Sequence, residues 1–299
     1  MIDIHPDQAR TLAAIVAKGS FDAAASHLSV TSSAVSQRIR ALEVAVGRPV
    51  LRRTRPIELT ESGQAVVRFA RQLEMLSADL ADELQPGNAN PDTRLTLVIN
   101  SDSLHTWALA GLAAVAGTVQ LEILREDQDY SLELLRSGAA AAAITATAKP
   151  APGCTSRRLG VMRYLPVCTP AFAEQWFDGG AAFDGAGAAE ALAKAPVIIF
   201  DRKDDLQDRY LRRFSRKPLE PRRHYVPAAH EFGEAIRLGM GWGLLPEIEI
   251  GDDLDRRTLQ TLAAKSFVDV PLHWQQWRYG SAVLDGVAAA IQDAARVLR

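Results

Sequence analysis

The chain of 299 residues is poor in cysteine, holding only Cys154 and Cys168 with no CxxC pair. A disulfide framework and a zinc ribbon are therefore excluded. No apolar run reaches the 18 or more residues of a membrane-spanning helix, so no membrane association is expected. Met1-Ile-Asp-Ile-His-Pro6 lacks a basic region followed by an apolar stretch, so no secretory signal is read and a cytoplasmic location is expected. The catalytic signatures GxSxG, HExxH and Walker A are missing. The six histidines (5, 27, 105, 224, 230, 273) show no metal-ligand spacing. The expectation is a non-enzyme with no catalytic residue, no metal and no cofactor. Gly239-Met-Gly-Trp-Gly243 comes nearest to a phosphate loop, but a helix precedes it and a strand follows, so it reads as a tight turn.

What is present is ordinary in bulk. Apolar residues make up 47% and charged residues 23%, enough for two hydrophobic cores, and the length fits two or three domains. The net charge of −2 hides a division along the chain. Residues 1–60 carry eight Lys/Arg against five Asp/Glu, or +3, and the remainder carries −5. A basic contact module joined to a body with another task gives such a split, as does chance clustering on a solvated face.

Within the first sixty residues, His5-Pro-Asp-Gln opens one helix and Lys18-Gly19 closes it. A second helix fits Asp22–Leu28. A third, capped by Thr31 or Ser32, runs to about Val46, with Val35, Ile39, Leu42 and Val46 on its apolar stripe and Ser33, Ser36, Gln37 and Arg40 on the other face. Two short helices about a tight turn at Ser29 describe a helix-turn-helix over about 21–40. Its second helix would enter the major groove, Gln37 suiting adenine and Arg40 guanine or phosphate. Arg52, Arg53 and Arg55 flank Pro56 between short apolar runs, a β-hairpin wing whose arginines would neutralise phosphates. An ordinary solvated surface would show the same polar face.

Phe21-Asp-Ala-Ala-Ala-Ser-His-Leu-Ser-Val-Thr-Ser-Ser-Ala-Val-Ser-Gln-Arg-Ile-Arg-Ala-Leu-Glu43, followed by Leu59-Thr-Glu-Ser-Gly63, resembles LysR-type transcriptional regulators. Leu51 stands where many members have Phe, and Ser29 holds a turn position often given to Gly. Residues 61–84 place Val66, Phe69, Leu73, Leu76 and Leu80 at 3, 4, 3, 4 spacing, the narrow seam of a two-helix contact, before a polar linker from Pro86 to Pro91. The resemblance implies that this helix dimerises the protein, and that dimers assemble further into homotetramers.

From Arg94, strands and helices alternate, which argues for an α/β body, and its length suits two lobes. The domains read as a winged helix-turn-helix over 1–60, a dimerising helix and hinge over 61–90, and an effector domain over 91–299. Lobe I takes about 91–162 and 269–299, and lobe II about 163–268. Ligands of open α/β sheets bind at the carboxyl ends of strands. That selects Ser101, Asp102, Ser103, Glu126 to Asp129, Thr145, Thr147 and Asp201. The hydroxyls suit a carboxylate and the acids a cation, so a basic amino acid satisfies both. Helix capping is the competing role for the serines and aspartates.

Further motifs resemble the ArgP/LysG branch of the same family: Ile99-Asn-Ser-Asp-Ser-Leu104, Glu126-Asp-Gln-Asp129, Met162-Arg-Tyr-Leu165, Phe200-Asp-Arg-Lys-Asp-Asp-Leu-Gln-Asp208, Leu238-Gly-Met-Gly-Trp-Gly-Leu-Leu-Pro246 and Val270-Pro-Leu-His-Trp-Gln-Gln-Trp277. This resemblance implies an effector domain like a type 2 periplasmic binding protein, with lysine or arginine between its lobes. It also implies a double-stranded operator as partner, an amino-acid exporter gene as target and RNA polymerase as a further contact. In that picture Glu126 and Asp201 hold the cation, while Ser101, Ser103, Thr145 and Thr147 orient the carboxylate. Open alternatives are a regulator of the same family sensing another metabolite and a small-molecule-binding protein of transport type.

Overall fold

The computed structural model describes residues 3–52, 54, 56–84, 94–125, 128–177, 187–263 and 265–299. Arg53, Arg55, Glu126 and the linker from Pro86 to Pro91 therefore lie outside the described residues. The N-terminal elements are α1 (Pro6–Lys18), α2 (Phe21–His27), α3 (Ser32–Val46), β1 (Leu51–Arg52), β2 (Glu58–Leu59) and α4 (Glu61–Leu84). Next come β3 (Arg94–Val98), α5 (Ser101–Ser103) continued by a π-helical turn (Leu104–Ala108) into α6 (Leu109–Ala113), β4 (Gln120–Leu124), α7 (Gln128–Ser137) and β5 (Ala142–Thr145). They are followed by β6 (Cys154–Cys168), α8 (Pro170–Trp176), α9 (Ala188–Lys194), β7 (Val197–Ile199), α10 (Leu206–Leu211), β8 (Arg223–Tyr225) and α11 (Ala229–Arg237). The chain ends with β9 (Gly243–Pro246), α12 (Glu247–Ile250), β10 (Gln260–Thr261), β11 (Val268–Trp277) and α13 (Ala282–Ala294). No helix among the described residues is long and apolar enough to cross a membrane.

Two compact units result. One comprises Met1–Asn100, Gly111–Arg158 and His273–Asp293; the other comprises Ser101–Ala110, Leu159–Leu272 and Ala294–Arg299. In the first, α1 starts on a capping box between His5 and Gln8, with Pro6 in its first turn. Ser20 caps α2 through Ala23 N at 3.1 Å and Thr31 caps α3 through Ala34 N at 3.1 Å. Ser29 takes the left-handed φ of 55° that turns α2 into α3. Leu12, Ile15, Ala24, Val35, Ile39, Leu42, Val50 and Val67 share one core, so the stripe read from the sequence is the packed one. The wing pairs Leu51 with Leu59 and Arg52 with Glu58. The Leu59-Thr-Glu-Ser-Gly63 motif has a physical basis here: Thr60 donates to the Pro49 carbonyl and accepts from Gly63 N, locking the wing onto the start of α4.

The first unit also contains parallel β4–β3–β5, with β5 paired antiparallel to the His273–Gln276 part of β11. In the second unit, Tyr164–Val167 of β6 pair with β9, and Val167–Cys168 pair with β10. There β7 and β8 run parallel, and Val167, Ile198, Phe232, Ile236 and Leu245 form the core under α11. Strands β6 and β11 each run from one unit into the other. Strands and helices alternate along this part of the chain, and β6 is the longest strand among the described residues, over Cys154–Cys168.

Candidate functional site

The third helix presents an exposed polar face. Thr31, Ser33, Gln37 and Arg40 are exposed and Ser36 is half-buried. The expected contact residues differ in freedom. The Thr31 hydroxyl is committed to its helix cap, whereas Gln37 and Arg40 project from a helix whose opposite side is locked into the core. Arg38, between them, points the other way, toward Thr11 Oγ1 at 3.4 Å and Asp7 at 3.9 Å. Arg52 is exposed on the wing and lies 3.9 Å from Glu58 across the hairpin.

Among the expected effector residues, Thr145 is fully buried and joined to a buried glutamine. Its hydroxyl donates to the Thr147 carbonyl at 3.1 Å and accepts from Gln275 Nε2 at 3.1 Å. Gln275 Nε2 also reaches the Thr147 and Lys149 carbonyls at 3.0 Å, and its Oε1 accepts from Ala151 N at 2.9 Å. One amide thus ties down the whole turn from Thr145 to Ala151. Sequence reading had placed Gln275 only within a motif; its function as a clamp emerges from the β5–β11 register.

In the second unit, Ser101, Asp102 and Ser103 form the first helical turn themselves rather than a cap in front of it. Ser103 is buried, and the Asp102 side chain accepts a 2.7 Å hydrogen bond from the Tyr164 hydroxyl. Burial pushes the Asp102 carboxyl up, opposed by the Tyr164 hydrogen bond and reinforced by Asp204. Asp204 is itself raised, first by burial, although Leu206 N and Phe200 N both donate to it. Glu249 is pushed up to about 7, mainly by burial and then by Asp102. It sits 3.8 Å from Arg237, a guanidinium that also serves Asp253 and Glu234.

Asp201 takes a different part. Its Oδ1 accepts from Lys203 N at 2.7 Å and Asp204 N at 3.1 Å, so it shapes the turn that leads to Asp204. Among the described residues, the acids raised by burial are thus Asp102, Asp204 and Glu249, the last two missed by the sequence reading. Asp204 was inside a quoted motif, but nothing in the pattern distinguished it from its acidic neighbours. Buried carboxyls that resist losing a proton are stabilised when a cation takes the proton's place. His105 and His230, with ring centroids 5.9 Å apart, lie in the same unit.

Comparison with known proteins gives consistent matches along the chain. Residues 6–64 match the bacterial regulatory helix-turn-helix protein, lysR family, and residues 88–296 match the LysR substrate binding domain. The chain is 42% identical to the lysine export transcriptional regulatory protein LysG of Corynebacterium efficiens over 99% of this chain and 98% of that one. The ArgP crystal structure from Mycobacterium tuberculosis is similar at a TM-score of 0.89, with 38% identity and 97% of each chain covered. Full-length LysG from Corynebacterium glutamicum with bound effector Arg is similar at a TM-score of 0.85, with 38% identity and 99% of each chain covered.

Proposed function

This chain belongs to the LysR family of bacterial regulatory proteins, and on that premise we propose that it is a DNA-binding transcriptional regulator controlled by arginine or lysine. The observation that carries this reading is the full-length likeness to a LysG that holds arginine. The raised carboxyls of the second unit support it, because a guanidinium or ammonium is the chemistry such groups favour.

In this reading residues 1–60 bind the operator, 61–90 form the dimerising helix and hinge, and 91–299 bind the effector. Gln37 and Arg40 read base edges, with Ser33, Ser36 and Arg52 on backbone or sugar, and Arg53 and Arg55 extend the wing's phosphate contacts. Thr31 acts through its cap. Asp102, Glu126 and Asp201 attract the cationic end of the effector, while Ser101, Ser103, Thr145 and Thr147 frame the carboxylate end. The protein works in the cytoplasm as a homodimer or homotetramer beside RNA polymerase, on an amino-acid exporter gene, without catalysis. Effector control requires that arginine or lysine bind one conformational state more tightly than another.

A gel shift with the protein's own upstream intergenic DNA, with and without each amino acid, tests the reading. The expected result is an operator affinity or complex mobility that changes with one or both. Isothermal titration that detects neither amino acid would remove the effector assignment.

A further inference from the structure

The helix α4 shows two different faces. The seam of Phe69, Leu73, Leu76 and Leu80 occupies one, with Phe69, Leu76 and Leu80 exposed. Gln64, Arg68, Arg71 and Asp79 occupy another, roughly 130° around a helix of 3.6 residues per turn. Every member of this second set reaches into the α/β part of the same unit. Gln64 Nε2 donates to Glu133 at 2.7 Å and Arg68 Nη1 donates to the Arg136 carbonyl at 2.8 Å. Arg71 donates to the Gly138 carbonyl, and Asp79 accepts from Ala282 N at 2.9 Å.

Two backbone turns are shaped to admit Arg68. Gly138 and Gly153 both hold a φ of +78°, and a Cβ on either would fall 2.9 Å from the Arg68 Cα or 2.8 Å from its Nη2. Gly153 lies two residues beyond Ala151, the last residue gripped by Gln275. A continuous set of contacts therefore runs from Thr145 through Gln275 and the 147–153 segment to Arg68. Burial also pulls the Arg71 guanidinium down from its ordinary value, as expected of a cation docked away from water.

We propose that Arg68 and Arg71 are positioning residues that tie DNA affinity to effector occupancy, acting through Gln275 and the turn it clamps from Thr145 to Ala151. The inference rests on the arginine- or lysine-controlled reading above. It deepens that reading by naming the groups that connect α4, which continues from the DNA-binding module, to the turn holding Thr145 and Thr147. Neither arginine touches DNA or effector in this assignment. The physical signature of such a link is a coupling free energy, which the test measures directly.

The full chain is compared with Arg68→Met, Arg71→Met and Arg68→Lys. For each, affinity for the upstream intergenic DNA is measured by fluorescence anisotropy with and without saturating L-arginine or L-lysine, and effector affinity by titration calorimetry. The methionine variants should bind the effector and, without it, the DNA within about twofold of the parent. Their effector-dependent change in DNA affinity should shrink at least about threefold, within the usual span of allosteric coupling. Arg68→Lys should restore only part of it. A parent that responds, with variants that respond equally, overturns this inference alone. A parent that responds to neither amino acid overturns the functional reading and this inference with it. Hydrogen exchange on the parent guards against a variant that fails to fold. Effector should change exchange in both 149–154 and 64–71, and a change that leaves 64–71 untouched overturns the proposal.

Discussion

The Tyr164 hydroxyl donates a 2.7 Å hydrogen bond to Asp102 Oδ2, joining the strand β6 to the helical turn of Ser101–Ser103 in the second unit. Tyr164 is buried, so its hydroxyl has no bulk water to turn to. Replacing it by Phe leaves a desolvated carboxyl without its donor, at a cost of about 1–3 kcal/mol. The Asp102 carboxyl should rise further, since the hydrogen bond is the group that lowers it most. Urea unfolding of Tyr164→Phe should show the loss at pH 8, with a smaller loss at pH 5 where the carboxyl is more readily protonated. Equal losses at both would assign the effect to packing rather than to the ionised acid.

Glu249 gives a stability signal of the opposite kind to an ordinary ion-paired acid. Its folded-state pKa of about 7 lies above the usual glutamate value of 4.5. Between those values the folded state holds more protons than the unfolded one, so stability falls as pH rises from about 4.5 through 7. Glu249→Gln keeps the shape and removes the titration, while Arg237 keeps Asp253 at 2.9 Å and Glu234 at 3.1 Å. The variant should be more stable than the parent at pH 8 by roughly 1–2 kcal/mol and should flatten the pH dependence between 5 and 8. A parent curve with no decline over that interval would contradict the buried-acid account.

Legibility in the sequence followed the range of the interactions. The winged module was readable because its signals are local: Pro6 and Gly19 at helix ends, Thr31 as a cap, and an apolar stripe at 3.5- to 3.6-residue spacing. The β/α alternation was readable for the same reason. Asp204, Glu249 and Gln275 were not, because their character comes from burial and register between distant segments. Gln275, for example, is 130 residues from Thr145, its partner across β5 and β11. Asp201 shows the converse: it follows the end of β7, and its Oδ1 accepts from Lys203 N and Asp204 N in the turn that comes next. The length of β6 was not legible either, since its first half, from Thr155 to Leu159, lacks the apolar alternation of the buried second half.

On the DNA face, the exposed and half-locked groups should separate by measurement. Gln37→Ala should weaken binding to the cognate operator by about 1–3 kcal/mol and relax the preference at one base position. Arg52→Ala should weaken cognate and unrelated DNA alike and reduce the dependence of log affinity on log salt by about 1, the mark of a lost phosphate contact. Arg40→Ala distinguishes its two possible tasks by which of these patterns it follows. If Gln37→Ala and Arg40→Ala both leave operator affinity unchanged at fixed salt, α3 is not the reading helix.

The leucine seam of α4 makes a prediction about assembly that does not depend on the fold of one chain. Leu76 and Leu80 are 45% and 54% exposed, so glutamate at those positions removes little of the chain's own core. In a two-fold pair each leucine is buried twice, once per subunit, at about 1.5–3 kcal/mol per fully buried side chain. The double variant Leu76→Glu, Leu80→Glu loses that burial and brings four carboxylates to the seam. Light scattering after gel filtration should then report the mass of a single chain, with the melting temperature of the effector domain nearly unchanged. Operator affinity should fall steeply, because two half-sites are read together only by a linked pair of modules. A variant that keeps both its mass and its operator affinity would show that a different surface holds the subunits together.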